Sequence, residues 1–196
     1  MFTAAKNFAK NVEHSHYDSC IVVVLTHGEY DHLLGCDEKG VNINRFLQCF
    51  NTINAPLLTG KPKLFFIQAC RGGNPYSLSI PPESPTTPEQ LVTKRLSQSL
   101  SPTIQPSEAD MIIAFATTPN DFAWRHEMNG SYFIQSVCAI FSKYSANEDI
   151  CQLLTRVNRQ VAKTYQLCAD GYEQNPEFVN RLQKQFYFFP GIQNLQ

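Results

Sequence analysis

This chain of 196 residues has no apolar run long enough to span a bilayer: stretches such as Ile21–Leu25 and Leu64–Ile67 fall far short of about 20 residues. Its opening residues, Met1–Lys6, contain no apolar h-region of the kind that heads a secretory signal. It has no Cys-x-x-Cys pair, and its seven cysteines are an odd number. Both facts argue against a disulfide framework or a zinc site, so the expectation is reduced thiols in the cytoplasm, with no metal and no cofactor. Each cysteine other than Cys70 reads as a small buried core residue. Charge of one sign is also lacking. The formal net charge is -1, with no basic stripe and no acidic tail, which argues against nucleic acid or an anionic membrane as partner. No internal repeat is visible.

What is present suits one soluble α/β domain. Hydrophobic residues make up 43% and charged residues 17%, enough to build a core at this length. Thr3–Glu13 has weak helical character. Cys20–Thr26 is a β-branched run that reads as a buried strand, and helical periodicity follows at Ile43–Phe50. After the breaker Gly60-Lys61-Pro62 comes a second apolar strand, Lys63–Ala69. Strand, helix, strand in that order predicts a right-handed crossover and a parallel sheet.

Seven of the twelve prolines lie between Pro75 and Pro106, among Ser, Thr and Gln, so this region reads as a mobile linker. Order resumes with a strand at Ala109–Thr117. A helix is predicted at Ser131–Lys143, with Phe133, Ile134, Val137, Ile140 and Phe141 on one face. Another is predicted at Asp149–Thr164, with Ile150, Leu153, Leu154, Val157 and Val161 inward. Gln185–Phe189 reads as a closing aromatic strand. The organisation is therefore 1–72, a linker at 73–107, and 108–196, together one layered domain.

The chemistry concentrates at two strand ends. Gln68-Ala69-Cys70-Arg71-Gly72 stands at the C-terminal end of one apolar strand, and His27-Gly28 at the end of the other. In a parallel sheet this is where ligands bind, and adjacent strands would set the two ends about 5 Å apart. A thiol nucleophile needs such a partner, because the thiolate is the reactive form and a nearby imidazolium favours it. The competing account is a buried structural thiol at Cys70 and a satisfied core histidine at His27. His14, His16, His32 and His126 read as solvated side chains.

These motifs resemble those of the caspases, aspartate-directed cysteine proteases. The likeness extends over essentially the whole chain. Ala116-Thr117-Thr118-Pro119, Ala123-Trp124-Arg125, Asn129 to Gln135, Leu154-Thr155-Arg156-Val157-Asn158 and Phe186-Tyr187-Phe188 resemble the family's small subunit. Cys20–Gly72 resembles the second half of its large subunit.

The resemblance implies a caspase-like three-layer sandwich, a mostly parallel sheet with flanking helices. It also implies a cysteine endopeptidase of apoptosis or its regulation, cleaving proteins after aspartate. On it, Cys70 is the nucleophile and His27 its acid–base partner. The backbone N–H groups of Gly28 and Cys70 form the oxyanion hole. Gln68 and Arg125 bind the substrate aspartate, whose carboxylate suits a guanidinium fork. Phe122 and Trp124 wall the next subsite, and Tyr132 lies beside the one for the fourth residue. The competing readings are core aromatics for Trp124 and Tyr132, and a surface ion-pairing residue for Arg125.

Two departures stand against these matches. Only Met1–Ser19 precede the first strand, and they hold no arginine. The family's large subunit has more sheet there, a second aspartate-binding arginine and a carbonyl that orients the histidine. The chain thus reads as an N-terminally truncated catalytic domain. Loss of one arm of an arginine–carboxylate site costs about 2–5 kcal/mol. Cys20–Thr26 would become an unprotected apolar edge. Family zymogens are also cut after aspartate between subunits, but Gly72–Ala109 contains none, its acids being Glu83, Glu89 and Glu108. Two expectations follow: a peptidase, or an impaired homologue that pairs with and modulates a complete caspase. Either would dimerise, with itself or with another caspase chain, through the C-terminal strand.

Overall fold

The computed structural model describes residues 1–72, 107–166 and 174–189, the side chains of 164–166 excepted. The proline-rich stretch read as a linker lies, up to residue 106, outside the described residues, as does Cys168.

The central sheet has four strands in the order β1 (Cys20–Leu25), β5 (Lys63–Gln68), β6 (Met111–Phe115) and β9 (Glu177–Asn180). The first three are parallel, as the strand–helix–strand order predicts, and β9 runs antiparallel to β6. Successive side chains alternate between faces, so β5 and β6 feed two cores. Phe65, Ile67, Met111, Ile113 and Phe115 pack on one side with Ala5 and Ala9 of α1 (Phe2–Ala9) and with Ile43, Phe46 and Leu47 of α2 (Ile43–Gln48). Leu64, Phe66, Ile112 and Ala114 pack on the other with α3 (Tyr132–Tyr144) and α4 (Ile150–Gln166).

Helix starts follow their capping chemistry. Asp149 Oδ1 accepts from Cys151 N at 2.7 Å and Gln152 N at 3.2 Å, while Gln152 Oε1 accepts from Asp149 N at 3.1 Å, a reciprocal capping box. The inward face read for this helix is all buried, with Ile150, Leu153, Leu154, Val157 and Val161 at 1% exposure or less.

Four expectations are corrected. Cys20–Thr26 is only half buried: Val22 and Val24 pack inward, but Ile21, Val23 and Leu25 are 45%, 50% and 62% exposed. The register pairs Ile21 with Leu64 and Val23 with Phe66, so this open stripe lies on the α3–α4 side. Gln185–Phe189 forms no strand here. Phe186 and Phe188 instead fold onto the second core, with Phe188 5.5 Å from the Phe141 ring, and Phe186 O accepts from Ile150 N at 2.9 Å. The strand that joins the sheet is Glu177–Asn180.

Cysteine burial is narrower than expected: Cys20 and Cys49 are buried, Cys36 and Cys138 exposed, and Cys151 in between. Finally, His14 is buried rather than solvated; its Nε2 lies 2.7 Å from Phe8 O. Among the described residues no helix is long and apolar enough to cross a membrane, and no cluster of three His, Cys, Asp or Glu side chains is placed to hold a metal.

Candidate active site

Both strand ends converge where the parallel register puts them. Leu25 pairs with Gln68, and Thr26 N donates to Gln68 O at 3.0 Å. His27 and Cys70 each follow two residues beyond that last register pair. Packing confirms the approach. Gly28 has no room for a side chain, since a Cβ there would collide with the Cys70 carbonyl oxygen and lie 2.9 Å from Ala69 Cβ. Glycine is required here by contact rather than by φ. Beyond it, β2 (Gly28–Glu29) turns into a small antiparallel sheet with β3 (His32–Leu34) and β4 (Gly40–Asn42), none of which had been read from the sequence. Leu34 N donates to His27 O at 2.9 Å, so the histidine backbone is anchored while its side chain stays exposed.

Cys70 is half buried, and its Sγ faces the backbone of Ala123, whose N–H donates at 3.5 Å and whose carbonyl lies 3.8 Å away. That contact brings in the second group of residues, because Ala123 is flanked by Phe122 and Trp124. Their rings stand 6.1 Å apart, Phe122 being 50% exposed. Arg125 follows, exposed, on β7 (Arg125–His126), which pairs with β8 (Gly130–Ser131). Arg125 is opposite Ser131, so Tyr132, half buried at the first turn of α3, sits one residue past that pairing. Gln68 is 8% exposed, and its Oε1 is buried with no hydrogen-bond partner among the described residues. Such a group calls for water or a ligand.

Sequence reasoning missed the residues that hold these two groups together. Arg71 N donates to Asp121 O at 2.9 Å and Asn120 N to Arg71 O at 3.0 Å. The Arg71 guanidinium, 14% exposed, pairs with Glu177, donates to Thr117 O at 3.1 Å and lies 4.2 Å over the Phe115 ring. Gly72 packs so closely that a Cβ would lie 3.1 Å from Asn120 O. Asn120 has a φ of 68°, a left-handed turn that asparagine tolerates well. The one sequence signal was the position of Arg71 within the motif; nothing local marks Glu177 or Thr117.

Burial suppresses the reactivity of three other thiols. Burial pushes the Cys20 thiol up to about 11 against the opposing charge of Lys63. Burial also holds Cys49 and Cys151 above the ordinary thiol range, so all three stay protonated at neutral pH.

A half-buried thiol and an exposed histidine thus stand just past the carboxyl ends of adjacent parallel strands. The caspase domain profile matches residues 1–187. The chain belongs to the caspase family. It is 37% identical over 217 residues to Cell death protein 3 of Caenorhabditis remanei, an alignment covering 99% of this chain and 42% of the relative. It is 34% identical to Caspase-3 of Xenopus laevis, over 90% of this chain and 58% of the relative. It is also 34% identical to Caspase-3 of Bos taurus, over 96% and 66% respectively. The chain thus spans between about two fifths and two thirds of the length of these caspase relatives.

Proposed function

We propose that this caspase-family chain is a cysteine endopeptidase that cleaves proteins after aspartate in a cell-death setting. The observation that carries the reading is that His27 and Cys70 each stand two residues past the Leu25–Gln68 pair of parallel strands, with Gly28 pressed on the Cys70 carbonyl. The Cys70 thiolate attacks the scissile carbonyl. Electrons move onto the carbonyl oxygen, which the backbone N–H groups of Gly28 and Cys70 stabilise. Collapse breaks the C–N bond as the His27 imidazolium gives its proton to the leaving amine, leaving an acyl-thioenzyme. His27 then takes a proton from water; the hydroxide carbon–oxygen bond forms, the thioester breaks, and acid and thiolate are released with imidazolium restored. Arg125 and the Gln68 amide hold the substrate aspartate, Phe122 and Trp124 wall the next residue, and Tyr132 lies beside the fourth.

Assay of the purified chain with aspartyl peptides tests this directly. Turnover should vanish in Cys70→Ala, and an aspartyl-directed electrophile should label Cys70. Equal turnover in that variant would remove the nucleophile assignment.

A second reading, a modulator that pairs with a complete family chain, is favoured by the open stripe Ile21, Val23 and Leu25 on an edge strand. Apolar strand edges recruit partners. Sedimentation across a dilution series, alone and with a full-length caspase, should show self-association or capture; a monomer indifferent to both would end this reading.

A further inference from the structure

Gln174 stands alone at the near end of β9, 2% exposed, and uses both ends of its amide. Its Oε1 accepts from Trp124 N at 2.9 Å, and its Nε2 donates to Ala116 O at 2.8 Å. Ala116 N is bonded to Ile67 O at 2.9 Å, so Ala116 belongs to the rigid end of the central sheet. Trp124 does not: it lies in the irregular stretch between β6 and β7, one residue from Ala123, whose N–H and carbonyl face the Cys70 sulfur. One buried side chain therefore ties the wall of the candidate site to the sheet that carries its nucleophile.

We propose that Gln174 is a positioning residue for substrate recognition, setting the depth and orientation of Trp124, and with it Phe122 and Arg125, relative to Cys70. The role in recognition rests on the peptidase reading above; the tethering of Trp124 does not. A primary amide is suited to the task because it offers one acceptor and one donor in fixed relation, and the two groups it joins, an N–H and a carbonyl, need one of each. Leaving either buried and unpaired costs more than the bond itself contributes, so the tether holds a single geometry.

Trp124 is the only tryptophan in the chain, which makes the test specific. In the full chain carrying ¹⁵N-tryptophan, one backbone amide signal reports the Trp124 N–H. Its hydrogen exchange should be slowed about tenfold or more relative to a free amide, the protection of one closed hydrogen bond. Exchange at the free rate in the wild-type chain overturns the proposal outright, whatever the variants do.

Gln174→Met keeps the volume but removes donor and acceptor. It should lose that protection and slow Cys70 labelling by an aspartyl-directed electrophile about tenfold, with labelling by iodoacetamide unchanged within about twofold. Gln174→Glu keeps the acceptor for Trp124 and regains the donor toward Ala116 only when protonated. It should therefore retain Trp124 protection that Gln174→Met loses, which separates the bond to Trp124 from a general loss of stability. Unaltered protection in folded Gln174→Met, or protection in folded Gln174→Glu no greater than in Gln174→Met, refutes the tether. If the wild-type amide is protected but the chain never reacts with the aspartyl electrophile, the peptidase reading fails and the tethering of Trp124 stands.

Discussion

His27, Gly28, Gln68 and Cys70 hang from the ends of hydrogen-bonded parallel strands, whereas Phe122, Trp124 and Arg125 ride on an irregular segment and a two-residue ladder. The first group is placed by repetition: six register pairs between β1 and β5 leave no slack at their common end. The second group is placed by a few particular contacts, namely Arg71 with Asn120 and Asp121, Gln174 with Trp124, and Ala123 with the Cys70 sulfur. On the proposed peptidase reading, the nucleophile and its partner sit on the stiff half of the site and most recognition residues on the half placed by a few single contacts. Specificity is free to vary on the second half without disturbing the first.

Substitutions on each half can sharpen or break this contrast. Gly28→Ala should have the largest effect, because its Cβ meets backbone rather than a flexible side chain. About 3 kcal/mol of unfolding free energy should be lost in denaturant titration; a loss under about 0.5 kcal/mol would mean the stiff half has slack. Arg71→Ala should follow at about 2 kcal/mol, since it strands Glu177 and removes the guanidinium from the Thr117 carbonyl and the Phe115 ring. Arg71→Lys should recover less than half of that, because an ammonium cannot both pair with the carboxylate and lie flat over Phe115.

Thiol chemistry gives a pH-dependent comparison. At neutral pH, iodoacetamide should modify Cys36, Cys70 and Cys138 well before Cys20, whose burial holds its thiol protonated. Its raised folded value means the native state keeps the proton that the unfolded chain releases. Stability is therefore fully present below the ordinary thiol range and is lost as pH rises from there toward about 11. Peptide mapping and alkaline melts check the two statements; early alkylation of Cys20 would contradict both. Smallest in stability are Arg125→Ala and Phe122→Ala on the exposed recognition half, each within about 0.5 kcal/mol. Arg125→Ala should nonetheless lower kcat/KM for aspartyl peptides about tenfold or more while sparing neutral ones. An equal fall for both would make Arg125 a support of the fold.

Local chemistry made much of this legible. The runs at Lys63–Gln68 and Met111–Phe115 are apolar on both faces because both faces are covered, and the two long helices announce themselves by inward stripes and their caps. Gln185–Phe189 misled because aromatic composition suits a strand and a core segment equally; Phe188 packs on Phe141 of α3, and Phe186 on Phe188 with its carbonyl bonded to Ile150 N. Glu177–Asn180 is hard to read because it is only four residues long, with two apolar side chains between polar ends. β1 misled in the opposite way. Its sequence suits burial on both faces, yet α3 and α4 cover β5 and β6 without reaching Ile21, Val23 and Leu25.

The sequence by itself determined the family, the two parallel strands, and the Cys70 and His27 that end them. Each of these is written in contiguous residues, by periodicity or by motif. Only the tertiary structure decided how Cys70 meets Ala123, how Arg71 reaches Glu177, and how Gln174 spans from Ala116 to Trp124. The last two contacts join residues 106 and 50–58 positions apart. No local propensity encodes such pairs, because what selects them is the need to satisfy buried polar groups once the chain has already folded around them.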